Sequence, residues 1–185
     1  MRVVSGALGG RRLAAPSGSG TRPTSERVRA ALFDSLGARV AGARVLDLYA
    51  GSGGLGIEAL SRGAATATFV ERARPALAAL RRNLLDLSLE ARARVLAAPV
   101  RPTLAGLMRA GERFDVVVVD APYAEPAEGW ADAVGLVAPG GLLVAERDAR
   151  GAPAALRGAA LVRRATYGTT ALEFWQAEEA AGGTL

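Results

Sequence analysis

Asp47-Leu-Tyr-Ala-Gly51-Ser-Gly53-Gly54-Leu-Gly56 is the stretch that decides the fold. It ends an apolar run, Arg44–Tyr49 (RVLDLY), and leads into helix formers at Leu55–Ser61. Glycines let a backbone turn sharply and approach a ligand, and the helix that follows offers unpaired N–H donors at its N-terminus. Glu71 closes the next β-rich run, 20 residues after Gly51, where a carboxylate can accept hydrogen bonds from both hydroxyls of a ribose. These residues predict a nucleoside-cofactor site made from Asp47, Tyr49, Ala50, Gly51, Ser52, Gly53, Leu55, Gly56, Glu71 and Arg72.

Outward from the loop, strand-like and helix-like segments alternate. Thr66–Glu71 (TATFVE), Arg94–Ala97 (RVLA), Phe114–Asp120 (FDVVVVD) and Gly141–Glu146 (GLLVAE) complete five strands. Helix formers occupy Leu55–Ser61, Pro75–Leu87, Thr103–Arg109 and Pro126–Leu136, with Pro75 and Pro126 suited to first turns. Such alternation predicts an α/β, Rossmann-like fold over a mostly parallel sheet. Val116–Val119 is apolar on both faces and belongs in the centre of that sheet. Ala160–Tyr167 and Thr170–Gln176, divided at Gly168-Thr169, predict a C-terminal antiparallel hairpin that brings the sheet to seven strands. Ahead of the sheet, Val3–Val4 and Arg12–Ala14 suggest a small hairpin, 16–24 a Pro/Gly/Ser loop, and Thr24 or Ser25 a cap for a helix through Leu36. Residues 177–185 are expected to fray. The expected division is a small basic N-terminal appendage, 1–36, and an α/β domain, 37–185.

The composition narrows the chemistry. With 185 residues, half of them hydrophobic, the chain is sized for one core. It has no cysteine and no histidine. That excludes disulfides, thiolate metal sites, cysteine adducts and the usual general base, so no metal is expected. No run approaches the roughly 20 apolar residues of a membrane span, and Arg11 and Arg12 interrupt any leader-like stretch, so a soluble, cytoplasmic chain is expected. The net charge is +5, from 23 arginines and no lysine. Residues 1–36 hold six arginines (Arg2, Arg11, Arg12, Arg22, Arg27, Arg29) against Glu26 and Asp34. A basic arm rich in Gly and Ser suits a polyanionic partner such as nucleic acid; the bland reading is a solvated loop in an arginine-rich chain.

Gly51-x-Gly53-x-x-Gly56 with an acid 20 residues on also fits a dinucleotide fingerprint, so an NAD-linked oxidoreductase stands beside the alternatives. Three features favour S-adenosylmethionine. Asp47 lies four residues before the first glycine, placed to attract a cationic amino-acid end; an antiparallel hairpin follows the fifth strand; and the fourth strand ends in Asp120-Ala121-Pro122-Tyr123. An exocyclic amine on a base donates two hydrogen bonds, which the Asp120 carboxylate and the Ala121 carbonyl can accept while Tyr123 stacks on the ring. The nitrogen's proton becomes acidic as the methyl group arrives, so Asp120 or water suffices to take it. By itself the tetrad is equally a strand end with a proline turn; behind the glycine loop it reads as catalytic.

These residues resemble the bacterial 16S ribosomal RNA guanine-N2 methyltransferases over nearly the whole chain. The resemblance rests on Arg2-Val-Val-Ser-Gly6, Gly10-Arg-Arg-Leu13, Arg22-Pro-Thr24, Arg27-Val-Arg29 leading into Ala31-Leu-Phe33, the loop from Asp47 to Gly63, Glu71 and Asn83-Leu84. It implies a class I S-adenosylmethionine-dependent methyltransferase fold, with S-adenosylmethionine as cofactor. It also implies a guanine N2 in 16S rRNA or the 30S particle as substrate, the base swung out into the pocket. Arg11, Arg12, Arg22, Thr24, Arg27 and Arg29 are the expected RNA contacts, pairing with an acid in its own helix region being the alternative for Arg29; a monomer, no membrane and no metal are expected. Two departures stand out: Ala121 replaces the family's usual proline, and Ala97-Ala-Pro99-Val lacks the acid or amide that reads adenine. Gly9 also stands where a tryptophan is frequent. The remaining alternatives are an amino-group methyltransferase on DNA adenine or protein glutamine, and an RNA-binding assembly factor without activity.

Overall fold

A computed structural model describes residues 1–16, 25–122 and 125–178. Seven strands form one sheet: β1 Arg44–Leu48, β2 Thr66–Glu71, β3 Ala93–Ala97, β4 Phe114–Val119, β5 Val137–Asp148, β6 Ala159–Tyr167 and β7 Thr170–Ala177. Their spatial order is β3-β2-β1-β4-β5-β7-β6. The first five run parallel, and β7 pairs antiparallel with both β5 and β6. The order reverses direction between β1 and β4, and such a switch point opens a crevice at the strands' carboxyl ends. Asp47 on β1 and Asp120, just past β4, both lie at that edge.

Strand pleating sorts the side chains into two cores. On one face, Val45, Val116, Val118 and Val144 pack with α1 (Glu26–Leu36), α2 (Gly54–Ser61) and α3 (Arg74–Asp86) through Leu32, Phe33, Ile57 and Leu80. On the other, Leu46, Leu48, Val117, Val119 and Leu143 pack with α4 (Val100–Arg109) and Trp130. Ser25, not Thr24, caps α1, its hydroxyl accepting from the Val28 N–H at 3.2 Å. Pro75 sits in the first turn of α3, as its fixed φ favours.

The expected helix Pro126–Leu136 is instead two short 3-10 segments, Ala127–Gly129 and Ala131–Leu136. Pro126 caps the first, and Gly129 and Trp130 end it after one turn, with tight bonds such as Trp130 N–H to the Ala127 carbonyl at 3.0 Å. The helix at Thr103 begins earlier, at Val100 behind Pro99. The N-terminal hairpin reduces to one antiparallel bridge, Arg2 with Arg12. Val3 and Leu13 nonetheless enter the same core as the sheet, so the arm is packed onto the α/β body. No helix among the described residues is long and apolar enough to cross a membrane.

Candidate active site

The chain leaves β1 through Tyr49, a non-glycine residue with a left-handed φ of 60°, and turns again at Gly51 (φ 56°) and Gly53 (φ 87°). Those angles favour residues without a Cβ. The Gly56 Cα lies so close to the buried Phe69 ring that a Cβ would stand 2.3 Å from it, so only glycine lets α2 pack down on β2. The Ala50 N–H donates to the Val70 carbonyl at 3.0 Å, tying the loop to the neighbouring strand.

Asp47 is wholly buried beneath α2, and its Oδ2 accepts from the Gly56 N–H at 2.8 Å. Its Oδ1 is buried without a hydrogen-bond partner. Burial pushes the carboxyl up to about 7; the Gly56 bond opposes this, while the charges of Asp120 and Glu71 add to it. Glu71 ends β2 with its carboxylate held by three N–H groups: Gly51 on one oxygen at 2.9 Å, Arg72 and Ala73 on the other at 2.7 Å each. That fixes its plane at the loop and leaves lone pairs for hydroxyl donors. Burial, with the charge and hydrogen bond of Glu125, pushes the Tyr49 phenol up to about 12, so it stays a neutral donor.

Asp47 and Glu71 thus both accept from N–H groups of the glycine loop, and Asp47 engages the Gly56 donor at the helix N-terminus behind it. Glu71 suits the ribose of either ligand, whereas Asp47 occupies a helix N-terminal donor that a pyrophosphate would use and adds a negative charge beside it. The site suits a cation, and a buried acceptor without a partner marks where one fits. Among the described residues no group of acids could hold a metal ion.

The loop residues Tyr49, Ala50, Gly51, Ser52, Gly53, Leu55 and Gly56 line up from β1 into α2, and Glu71 joins them; Arg72 is exposed beside them. Asp120 is half-buried at the end of β4, with its N–H 3.4 Å from the Leu48 carbonyl. Ala121 is buried in the second core, so its methyl group holds a backbone that lacks proline's constraint. Pro122 is exposed. Tyr123, Arg22 and Thr24 lie outside the described residues. Arg11, Arg12 and Arg27 are exposed, as a phosphate contact requires.

Arg29 is a correction. Only 1% exposed, it faces the 0%-exposed Glu58 at 3.7 Å and donates to the Arg2 carbonyl, so it cannot reach an RNA from there. Four residues before Phe33, it lies on the core-facing stripe of α1, and the buried Glu58 compensates its charge. Glu58 also accepts from the Val4 N–H at 2.7 Å and the Ser5 N–H at 3.0 Å, fastening the arm to α2, a role its sequence context did not signal.

The sequence profile described as conserved hypothetical protein 95 matches residues 1–176. The chain belongs to that family. The chain is 35% identical over 181 residues to a putative rRNA methyltransferase, YlbH, of Bacillus subtilis, covering 95% of this chain and 98% of that one. It is 41% identical over 123 residues to the ribosomal RNA small subunit methyltransferase D of Escherichia coli, a stretch spanning 66% of this chain and 60% of that protein. The solved structure of the E. coli putative methyltransferase yhhF superposes with a TM-score of 0.82 at 34% identity, covering 96% of this chain and 98% of that one. The family's fold is that of the S-adenosylmethionine-dependent methyltransferases, mostly parallel with a C-terminal antiparallel pair.

Proposed function

We propose that this chain transfers a methyl group from S-adenosylmethionine to the exocyclic N2 of a guanine in small-subunit ribosomal RNA. The observation that carries the reading is the hold of Asp47 and Glu71 on the glycine loop, with the buried Asp47 Oδ1 unpartnered and Asp120 at the end of the adjoining β4. Relatives named as ribosomal RNA methyltransferases support the RNA substrate.

When bound, the cofactor supplies a methyl group on a cationic sulfur, and the amine nitrogen takes it as the carbon–sulfur bond breaks. Asp47 attracts the ammonium of the cofactor's amino-acid end, and Glu71 accepts from its ribose hydroxyls. With no acid or amide side chain at Ala97–Val100, backbone groups and apolar contacts there would have to hold the adenine. The Asp120 carboxylate and the Ala121 carbonyl accept the two N–H bonds of the amine, fixing its lone pair on line with the methyl group. Asp120 or water then takes the proton shed by the methylated nitrogen. Tyr123 is the proposed stacking partner of the base, and Arg11, Arg12, Arg22, Thr24 and Arg27 the proposed RNA contacts.

The test is transfer of labelled methyl to small-subunit RNA by the native chain and by Asp120→Ala. The variant should bind cofactor and lose at least about 100-fold in turnover, the scale of a misplaced reacting group. Undiminished turnover would remove Asp120 from the mechanism.

A further inference from the structure

Asn83 joins two parts of the molecule that the methyl-transfer reading leaves separate. It lies in the third turn of α3 and is only 2% exposed. Asn is a weak helix former, and a buried amide is costly unless its groups are paired. Here they are paired to different places. The side-chain Oδ1 accepts from the Ala14 N–H at 2.7 Å, and Nδ2 donates to the Ala14 carbonyl at 3.1 Å and to the Ser52 carbonyl at 2.9 Å. Ala14 belongs to the basic arm, and Ser52 is the middle of the glycine loop. Among the described residues, no other side chain hydrogen-bonds to both.

The contact is reinforced from the other side. A Cβ on Gly54 would stand 3.2 Å from the Met1 Sδ and 3.3 Å from an Arg29 nitrogen, so the start of the arm lies against the same loop. Ser61 and Glu58 fasten the arm to α2, but their bonds reach only Val4, Ser5, Ala7 and Leu8. Among the described residues, Asn83 is the side chain that hydrogen-bonds Ala14, next to the buried Leu13, where the arm leads on toward Pro16.

We propose that Asn83 is a positioning residue that couples the methyl-donor loop to the RNA-contacting arm, so that filling the loop firms the arm and arm-bound RNA firms the loop. The proposal rests on the methyl-transfer reading. Coupling between two sites is reciprocal: whatever factor the cofactor adds to RNA affinity, RNA adds to cofactor affinity. A helix residue that served packing alone would not show it.

Amide hydrogen exchange of the whole chain, with and without S-adenosylhomocysteine at a concentration shown by calorimetry to saturate, tests this. The amides of Val3, Gly10, Leu13 and Ala14, all bonded within the arm or to Asn83, should exchange about fivefold or more slowly in the complex, the lower end of ordinary coupling. In Asn83→Ala the slowing should vanish, while in Ser61→Ala, which loosens the arm at α2 only, it should persist. Bound ligand without slowing in the native chain, or equal slowing in Asn83→Ala, would overturn the coupling while leaving methyl transfer intact. Failure to bind the ligand at all would overturn both. Should Asn83→Ala not fold, Asn83→Asp, which keeps the acceptor for the Ala14 N–H and loses the donor to the Ser52 carbonyl, takes its place, and undiminished slowing in it would overturn the coupling.

Discussion

At the scale of single residues, Asp47 binds the chemistry to pH. Its carboxyl, displaced from 3.8 to about 7 mainly by burial, is protonated in the folded chain and ionised in the unfolded chain between those values. The folded state holds the extra proton there, so stability falls as pH rises through that window. The cost of the charge is absent below about 3.8 and fully present above about 7. A cation placed beside Oδ1 favours the ionised form, so cofactor binding near pH 6 should expel part of a proton and tighten as pH rises toward 7. Calorimetry in two buffers of different ionisation enthalpy measures this. The native chain should release protons and Asp47→Asn should release none; equal release from both would place the proton elsewhere. The place of Asp47 near the end of β1, before the glycines, was readable from the sequence. Its protonation was not, because burial by α2 and the nearness of Asp120 come from strands distant in sequence. Arg29 shows the opposite error: its charge suggested RNA, while its spacing to Phe33 already placed it inside.

At the scale of elements, the strands were legible because period-two and fully apolar runs such as Phe114–Val119 have few alternatives. Pro126–Leu136 was not, since apolar spacing alone does not reveal where Gly129 and Trp130 interrupt an α-helix in favour of 3-10 turns. The arm illustrates a motif whose residues were visible before their purpose. Arg2-Val-Val-Ser-Gly6 supplies backbone groups to Glu58 and Ser61, and Gly6, at φ 81°, passes so near that a Cβ would stand 2.1 Å from the Ser61 carbonyl oxygen. No flexible side chain can yield there. Gly6→Ala should therefore lift the arm from α2, and limited trypsin digestion should cut after Arg11 and Arg12 faster than in the native chain. An unchanged cleavage rate would mean that the arm's seat does not depend on that approach.

At the scale of the whole molecule, one topological fact organises the rest. Reversal of strand order between β1 and β4 opens the crevice, and the carboxyl ends of β1, β2 and β4 deliver Asp47, Glu71 and Asp120 to it. The alternation of strands and helices predicted the mostly parallel sheet but not the strand order that opens the crevice, and the glycine spacing alone left a dinucleotide and a methyl donor both open. The buried Asp47 on an occupied helix N-terminal donor is what supports the proposed cationic ligand, because a pyrophosphate would meet repulsion where it needs donors. Arg11, Arg12 and Arg27 are exposed, as the proposed contact with a polyanionic substrate requires. The most direct measurement incubates the purified chain and isotopically labelled S-adenosylmethionine with small-subunit particles from cells lacking the protein, then identifies the modified nucleoside by mass. Labelled N2-methylguanine in the ribosomal RNA is the predicted result; no transfer, or label confined to another nucleoside, to DNA or to protein, would contradict the account.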